Sequence, residues 1–406
     1  MKQVVKTLLL IIGFIYLTSC DNKDKEPIIW SHVWDNSDPS YNNYRIPAMI
    51  VTQKGTVLIF CEGRSGGDAS DIDLLVRRSG DSGKTWSEQS IVWEDGPNTC
   101  GNPCPVIDQT TGRIILFMTW NLGDEGGEIV VTKKGKDTRR PYMCYSDDDG
   151  FTWSEPVDLT TTCKNPDWGW YATGPGVAIQ LKSEKYKNRL VIPANHSYTA
   201  DNKEEQFIDG GYGYGSHALL SDDGGTSWRM SSVITPGCNE SQVVELSDGR
   251  LMMNMRSYNR MFCRAISYSD DGGETWSEIE HAIQLAEPVC QASIIEYGQY
   301  KGKRMFLFSN PAAVDERKAL TVKTSFDNCK TWSNAKLIDG KRVQYSCLTV
   351  LPNGNVGILY EIGRDHVYDL GIAFVSFHPD ELFKPGTLLK EKIHPQPFLI
   401  RGEETL

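Results

Sequence analysis

Ser79-Gly80-Asp81-Ser82-Gly83-Lys84-Thr85-Trp86 is the stretch whose reading decides the fold. The pattern Ser-x-Asp-x-Gly-x-Thr-Trp returns at residues 146–153 with Asp148 and Gly150, and at 221–228 with Asp223, Gly225 and Ser227 in the Thr position. It returns again at 269–276 with Asp271 and Gly273, and at 325–332 with Asp327 but with Cys329 where Gly is expected. Asp supplies side-chain-to-backbone hydrogen bonds and Gly a positive φ, so the element is a turn. The Trp is a large apolar anchor for that turn. Each copy follows an apolar strand-like run, such as Ile72-Asp73-Leu74-Leu75-Val76, and so closes a β-hairpin. Cys329 predicts a looser turn in the fifth copy.

Working outward, a second set of hairpins alternates with these. Strand–turn–strand patterns occupy residues 48–61 around Gly55, 106–120 around Gly112, and 177–194 around a longer polar turn. They continue at 243–255 around Asp248-Gly249, 293–309 around Gly298 to Gly302, and 348–360 around Pro352-Asn353-Gly354. Turn residues between apolar runs are the hairpin signal. Five of these are followed by an octapeptide hairpin; the sixth is followed by a plain strand at 370–377. Two hairpins make one four-stranded antiparallel blade, and six such units predict an all-β chain folded as a six-bladed β-propeller. The Asp-to-Asp steps of 67, 75, 48 and 56 residues match one blade each with loop insertions. Residues 28–34 supply the strand that closes the ring, so residues 28–406 form a single propeller domain.

The N-terminus reads as an address. Lys2 and Lys6 precede an apolar run from Leu8 to Leu17. That run is shorter than the roughly 20 residues a spanning helix needs, so residues 1–19 read as a signal peptide. Leu17-Thr18-Ser19-Cys20 resembles the lipobox of bacterial lipoproteins, in which the cysteine is lipidated. Residues 20–27 then form a polar tether, and the expected location is the bacterial cell envelope, anchored in the outer membrane by lipid. The chain of 406 residues carries a formal charge of −11, which becomes −13 without Lys2 and Lys6. Nothing in that balance points to nucleic acid, which requires a basic face. The ten cysteines after Cys20 are scattered through apolar runs. They read as buried free thiols; Cys100 and Cys104 are the one pair close enough in sequence to raise the question of a link.

A tight hairpin has its turn at one end and its open ends at the other, so residues flanking the open ends share a rim. Those positions are Tyr44-Arg45, Gly101-Asn102, Trp170 to Gly176, Asn239-Glu240, Cys290-Gln291 and Gln344-Tyr345 on one side of the hairpins. On the other side they are Glu62-Gly63-Arg64, Trp120-Asn121, Asn195-His196, Arg256, Asn310-Pro311 and Glu361. The turn tips carry Lys, Gly, Asp and Asn instead. One rim therefore gathers arginines, carboxylates and a tyrosine.

The octapeptides, Tyr44-Arg45-Ile46-Pro47, the run Asn239-Glu240-Ser241-Gln242-Val243-Val244-Glu245-Leu246 and Tyr345-Ser346-Cys347-Leu348 together resemble the Asp-box exo-α-sialidase family, from about Arg45 to Glu361. The resemblance implies that Arg45, Arg256 and Arg317 clamp the carboxylate of a terminal sialic acid; Arg304 competes with Arg317 for the third place. Guanidinium groups suit that task because they bind a carboxylate through paired, charge-assisted hydrogen bonds at any working pH. By the same resemblance Tyr345 is the nucleophile, Glu240 its base and Asp68 the acid/base, with Asp71 the competing position. Glu361 orients Arg45, and Arg64 and Asn102 touch the sugar, although the family often has Asp where Asn102 stands. Trp120, Trp170, Tyr212 and Tyr214 are candidates for the pocket wall, and equally for ordinary packing. The expected reaction is retaining hydrolysis of sialylated glycans, with no metal or cofactor required. A trans-sialidase or anhydro-forming enzyme is the alternative on the same fold. A binding-only propeller would need the arginines but not Tyr345, Glu240 and Asp68.

Overall fold

The computed structural model describes residues 27–35, 39–208, 210–363 and 371–389. The expected leader at 1–19, Cys20 and all of the expected tether but Pro27 lie outside the described residues. No helix among the described residues is long and apolar enough to cross a membrane. The protein is all-β, and its helical segments are short, as at Gly127–Val131 and Thr160–Cys163.

The strands pair antiparallel in sets of four. Asn43–Val51, Val57–Arg64, Ile72–Ser79 and Ser90–Trp93 form the first set. Thr99–Ile107, Ile114–Asn121, Arg140–Ser146 and Val157–Asp158 form the next, joined to the first by a single parallel pairing of Ile72 with Thr99. Leu190–Thr199, Tyr212–Ser221 and Arg229–Met230 follow, and Cys238–Glu245, Leu251–Ser257, Cys263–Ser269 and Glu280–Ala286 after them. Ser293–Tyr300, Lys303–Pro311 and Lys318–Ser325 pair on to the first half of the long strand Ser333–Val350. The second half of that strand pairs with Val356–Ile362, then Gly371–Phe377, then Ile29–Asp35. The chain's first described strand is thus stitched to its last.

One strand departs from expectation. The run expected from residue 177 is preceded by a separate piece, Tyr171–Thr173, and both this and Ile179–Gln180 pair with Leu190–Thr199. Between them Gly174 and Gly176 take φ of 56° and 125°. They flank Pro175, which has no N–H to give a ladder.

Successive residues on a strand point to opposite faces, and here both faces are buried. Leu251, Met253 and Met255 pack toward the preceding set with Val191 and Leu220, whereas Met252 packs toward the following one with Ile294 and Phe306. Every neighbouring pair of sets shares such an apolar cluster. One cluster joins Trp34, Leu359 and Phe374 to Met49 and Ile59, which links the end of the chain to its beginning.

The octapeptides fold alike. Ser79 Oγ donates to Asp81 Oδ1 at 2.7 Å and accepts from Gly83 N at 2.8 Å; Asp81 also accepts from Thr85 N at 2.9 Å and Thr85 Oγ1 at 2.7 Å. Three of the five tryptophans seat edge-on against phenylalanines, Trp153 on Phe60 and Trp228 on Phe117 in the set before. Trp86 seats on Phe374, 5.2 Å between ring centres. The expectation of a looser fifth turn is corrected. Cys329 N still donates to Ser325 Oγ at 3.0 Å, and Thr331 N to Asp327 at 2.9 Å. Cys329 adopts the left-handed conformation, φ 62°, that Gly was expected to supply. The Ser, Asp and Thr side chains hold the turn, and Cys accepts the backbone strain. All ten described cysteines are free and buried, so Cys100 and Cys104 are not linked.

These turns carry an acid-sensitive stability. Hydrogen bonds from the Thr or Ser hydroxyl and from backbone N–H groups outweigh slight burial, and hold Asp81, Asp148 and Asp223 at about 2. Unfolded aspartates titrate near ~3.9. A depressed carboxylate contributes stability that is complete above the unfolded value and lost as pH falls through the folded one. The melting midpoint therefore falls between about pH 4 and pH 2. Asp81→Ala costs about 1 kcal/mol at neutral pH, as for a lost helix cap, and makes the acid loss shallower; thermal melts against pH check both.

Candidate active site

The open ends of the hairpins carry a cluster of charges around one phenol. Tyr345, on the second half of Ser333–Val350, is 6% exposed. Its hydroxyl donates to Glu240 Oε1 in a short hydrogen bond. Arg256 Nη1 donates to the same hydroxyl at 3.2 Å and to Glu240 Oε2 at 2.8 Å. Burial first, then the Glu240 carboxylate, raise the Tyr345 phenol well above its ordinary range, against the opposing pull of Arg256 and Arg317. The phenol is held neutral, with its hydroxyl directed at the Glu240 carboxylate.

Arg45 and Arg317 flank the same ring, their Cζ atoms 5.2 Å and 5.9 Å from its centre. Both donate to Gln344 Oε1, Arg317 Nη1 at 2.7 Å and Arg45 Nη2 at 3.5 Å. All three guanidinium groups thus converge on Tyr345. Glu361 fixes this geometry: its carboxylate accepts from Arg45 Nη2 at 3.1 Å, from Ile46 N at 2.8 Å and from Tyr345 N at 3.3 Å. Two β-branched residues at this rim sit in the left-handed region, Ile46 at φ 60° and Val289 at 52°. The first turns its N–H to Glu361, and the second gives its carbonyl to Arg317 Nη2 at 3.2 Å. Such conformations are costly for β-branched residues and gather at functional sites.

Asp68 lies in the loop after Val57–Arg64, its side chain 71% exposed. Its Oδ1 accepts from Arg64 Nη1 at 2.6 Å and approaches Arg45 Nη1 at 3.5 Å. Partial burial raises its carboxyl, but the Arg64 and Arg45 guanidinium groups outweigh that and hold it below the usual carboxylate range. Arg64 is in turn held by buried Glu62, whose other oxygen accepts from Asn102 N at 2.7 Å. Asn102 Oδ1 accepts from Thr119 Oγ1 at 3.2 Å and from buried Arg139.

The competing positions are placed elsewhere. Arg304 pairs with Glu296 at 2.7 Å and donates to the Glu245 carbonyl. The Asp71 carbonyl accepts from Ser65 Oγ and closes the loop, and no described hydrogen bond or ion pair joins the Asp71 carboxylate to the arginines. Of the aromatic candidates, Tyr214 packs on Tyr258, 4.8 Å between ring centres, and Tyr258 lies 5.0 Å from the Arg256 Cζ. Trp170 lies under Arg139, Trp120 donates to Asp95 and Tyr212 to the Thr132 carbonyl. Sequence reading assigned no role to Glu62, Gln344, Arg139 or Tyr258. Both of the first two stand at rim positions, Glu62 two residues before Arg64 and Gln344 next to Tyr345, which was the available signal.

Fold and site together define an all-β protein that gathers three guanidinium groups around one buried phenol. The BNR repeat-like domain family matches residues 29–358. The chain is similar to a sialidase of Bacteroides fragilis (strain YCH46), 32% identical over 359 residues that make up 83% of this chain and 62% of that protein. It is similar also to an exo-alpha-sialidase of Aspergillus fumigatus, 30% identical, with 79% of each chain covered. Among solved structures it resembles the Hadza microbial sialidase Hz136, with a TM-score of 0.74 and 31% identity, covering 87% of this chain and 69% of that one. The chain belongs to the BNR-repeat sialidase family.

Proposed function

We propose that the protein is an exo-α-sialidase, hydrolysing terminal sialic acid from glycoproteins, glycolipids and oligosaccharides with retention of configuration. The observation that carries this reading is the Tyr345 hydroxyl, bonded to the Glu240 carboxylate and ringed by Arg45, Arg256 and Arg317. The three guanidinium groups grip the sugar's carboxylate. That carboxylate sits on the anomeric carbon, where an anionic nucleophile would meet like-charge repulsion and a neutral phenol does not. Tyr345 Oη attacks the anomeric carbon and passes its proton to Glu240 as the bond to the leaving oxygen breaks. Asp68 in its acid form gives its proton to that oxygen. It then takes a proton from water, the hydroxyl adds to the anomeric carbon, and the Tyr345 oxygen leaves and recovers its proton from Glu240. Arg64 and Asn102 meet the sugar beside Asp68, and Glu361 keeps Arg45 and Tyr345 in register.

The sets of four strands are read as six blades of a propeller, with the octapeptides as Asp boxes; the cyclic chain of shared cores and the seat of Trp86 on Phe374 support that reading. A lipid anchor on Cys20, with signal peptide 1–19 and tether 20–27, would hold the propeller 28–406 at the outer membrane of a bacterial envelope. The supporting observation there is sequence alone. The test of function is incubation of the pure protein with α2,3- and α2,6-linked sialyl-lactose. Free sialic acid and lactose are the expected products. Transfer of the sugar to another glycan, or an anhydro sugar, identifies the alternative chemistry, and no release refutes the reading.

A further inference from the structure

The three clustered arginines are not equivalent in charge. Arg45 is paired with Glu361 at 3.1 Å and Arg256 with Glu240 at 2.8 Å. Arg317 forms no ion pair with a carboxylate among the described residues. Its guanidinium is held by two neutral oxygens, Gln344 Oε1 at 2.7 Å and the Val289 carbonyl at 3.2 Å. The same Gln344 oxygen reaches Arg45 Nη2 at 3.5 Å, so one amide spans two of the three arginines. Gln344 itself is 6% exposed and adjoins Tyr345 in the chain.

We propose that Gln344 is a positioning residue for the anion site, which splays Arg45 and Arg317 to fixed places while leaving the Arg317 charge unspent for the substrate's carboxylate. This rests on the sialidase reading above. The chemistry turns on neutrality. An amide oxygen accepts hydrogen bonds from guanidinium groups as a carboxylate does, but carries no full charge. A carboxylate in the same place would be a resident counter-ion and would compete with the incoming one. Two arginines near each other also repel, and a shared acceptor relieves part of that at no cost in net charge. The strained backbone at Val289, φ 52°, belongs to the same device, because it delivers the second neutral oxygen.

The test is Gln344→Glu, nearly identical in shape, with Gln344→Met as a neutral variant that cannot accept strongly. Steady-state kinetics on α2,3-sialyl-lactose are read beside the melting midpoint and the Kd of free sialic acid and of its methyl ester. Gln344→Glu raises KM and the sialic acid Kd by roughly 100-fold, the scale of a lost or opposed close charge contact. It leaves kcat within a few-fold, leaves ester binding unchanged, and keeps or raises the melting midpoint, because two new ion pairs form. Gln344→Met raises KM by less, with no gain in stability. An unchanged KM in Gln344→Glu overturns the proposal, as does a loss of affinity that tracks a falling melting midpoint, since that is what a merely structural residue does. A wild-type protein that releases no sialic acid sinks the enzyme reading instead, so the two failures are told apart.

Discussion

Replacing Tyr345 by phenylalanine lowers kcat on α2,3-sialyl-lactose by about 10³-fold or more, the order expected when an activated nucleophile and its proton transfer are both removed. The substitution deletes one oxygen from a side chain that is otherwise packed with Ile46 and Cys290. The ring stays, so the flat surface flanked by Arg45 and Arg317 stays as well. Arg256 keeps Glu240 as its partner. Sialic acid binding is therefore retained within about tenfold, while turnover collapses, and a melting midpoint close to wild type shows that the fold is intact. Glu240→Gln gives the complementary result: the phenol is present but has no base, and burial keeps it neutral. Rapid-quench kinetics with an activated aryl sialoside check the order of events. The expected result is a covalent sugar–enzyme adduct on Tyr345 in the wild type and none in the phenylalanine variant. Ordinary turnover in Tyr345→Phe would end the assignment.

The fold was legible because the sequence repeats its own solution. The Ser-x-Asp-x-Gly-x-Thr-Trp turn is local, made from side chains within seven residues of one another, so its recurrence reports hairpins directly. The site was legible one level higher. Tyr345 and Glu240 stand 105 positions apart, yet both flank the open end of a hairpin, and that shared topology places them on one rim. What stayed hidden depends on contacts no local pattern encodes. Gln344 reads only as a rim residue beside Tyr345, and its role appears when Arg317 and Arg45 are seen on its oxygen. Glu62 stands at the rim just past an apolar run, and its role appears only when Arg64 and the Asn102 backbone converge on it. Arg139 sits between two short segments with no signal of its own, and gains meaning from Asn102, Thr119 and Asn121, which it joins across neighbouring strands. The fifth octapeptide errs in the other direction. Reading Cys329 as a weakness gave too much weight to one backbone angle, and too little to the Ser325, Asp327 and Thr331 bonds that survive it.

Asp68→Ala separates the chemical roles at the rim by leaving-group dependence. A sugar or lipid alcohol leaves poorly as an alkoxide and needs a proton, whereas an activated phenol leaves well without one. General-acid help is worth about 10²–10⁴-fold, so kcat/KM on sialyl-lactose falls by that order. On a sialoside of a strongly acidic phenol kcat/KM is expected to change little, and any loss of water activation in the later step shows in kcat instead. The pH profile follows from the same carboxyl. Arg64 and Arg45 hold Asp68 below the usual range in the free protein, so its acid form grows as pH falls. With sialyl-lactose, kcat/KM therefore declines as pH rises from the acid side, and with the activated phenol this limb is weak. Asp68→Ala loses the limb for both substrates. Arg64→Met acts on the same group from outside: with its closest cation gone, Asp68 titrates higher and the limb moves to higher pH, while Tyr345, Glu240 and Arg256 keep their mutual bonds. Equal losses on good and poor leaving groups in Asp68→Ala, with an unchanged pH limb, would move the acid role to another residue of this loop, and Asp71→Ala tested in parallel shows whether it moves there.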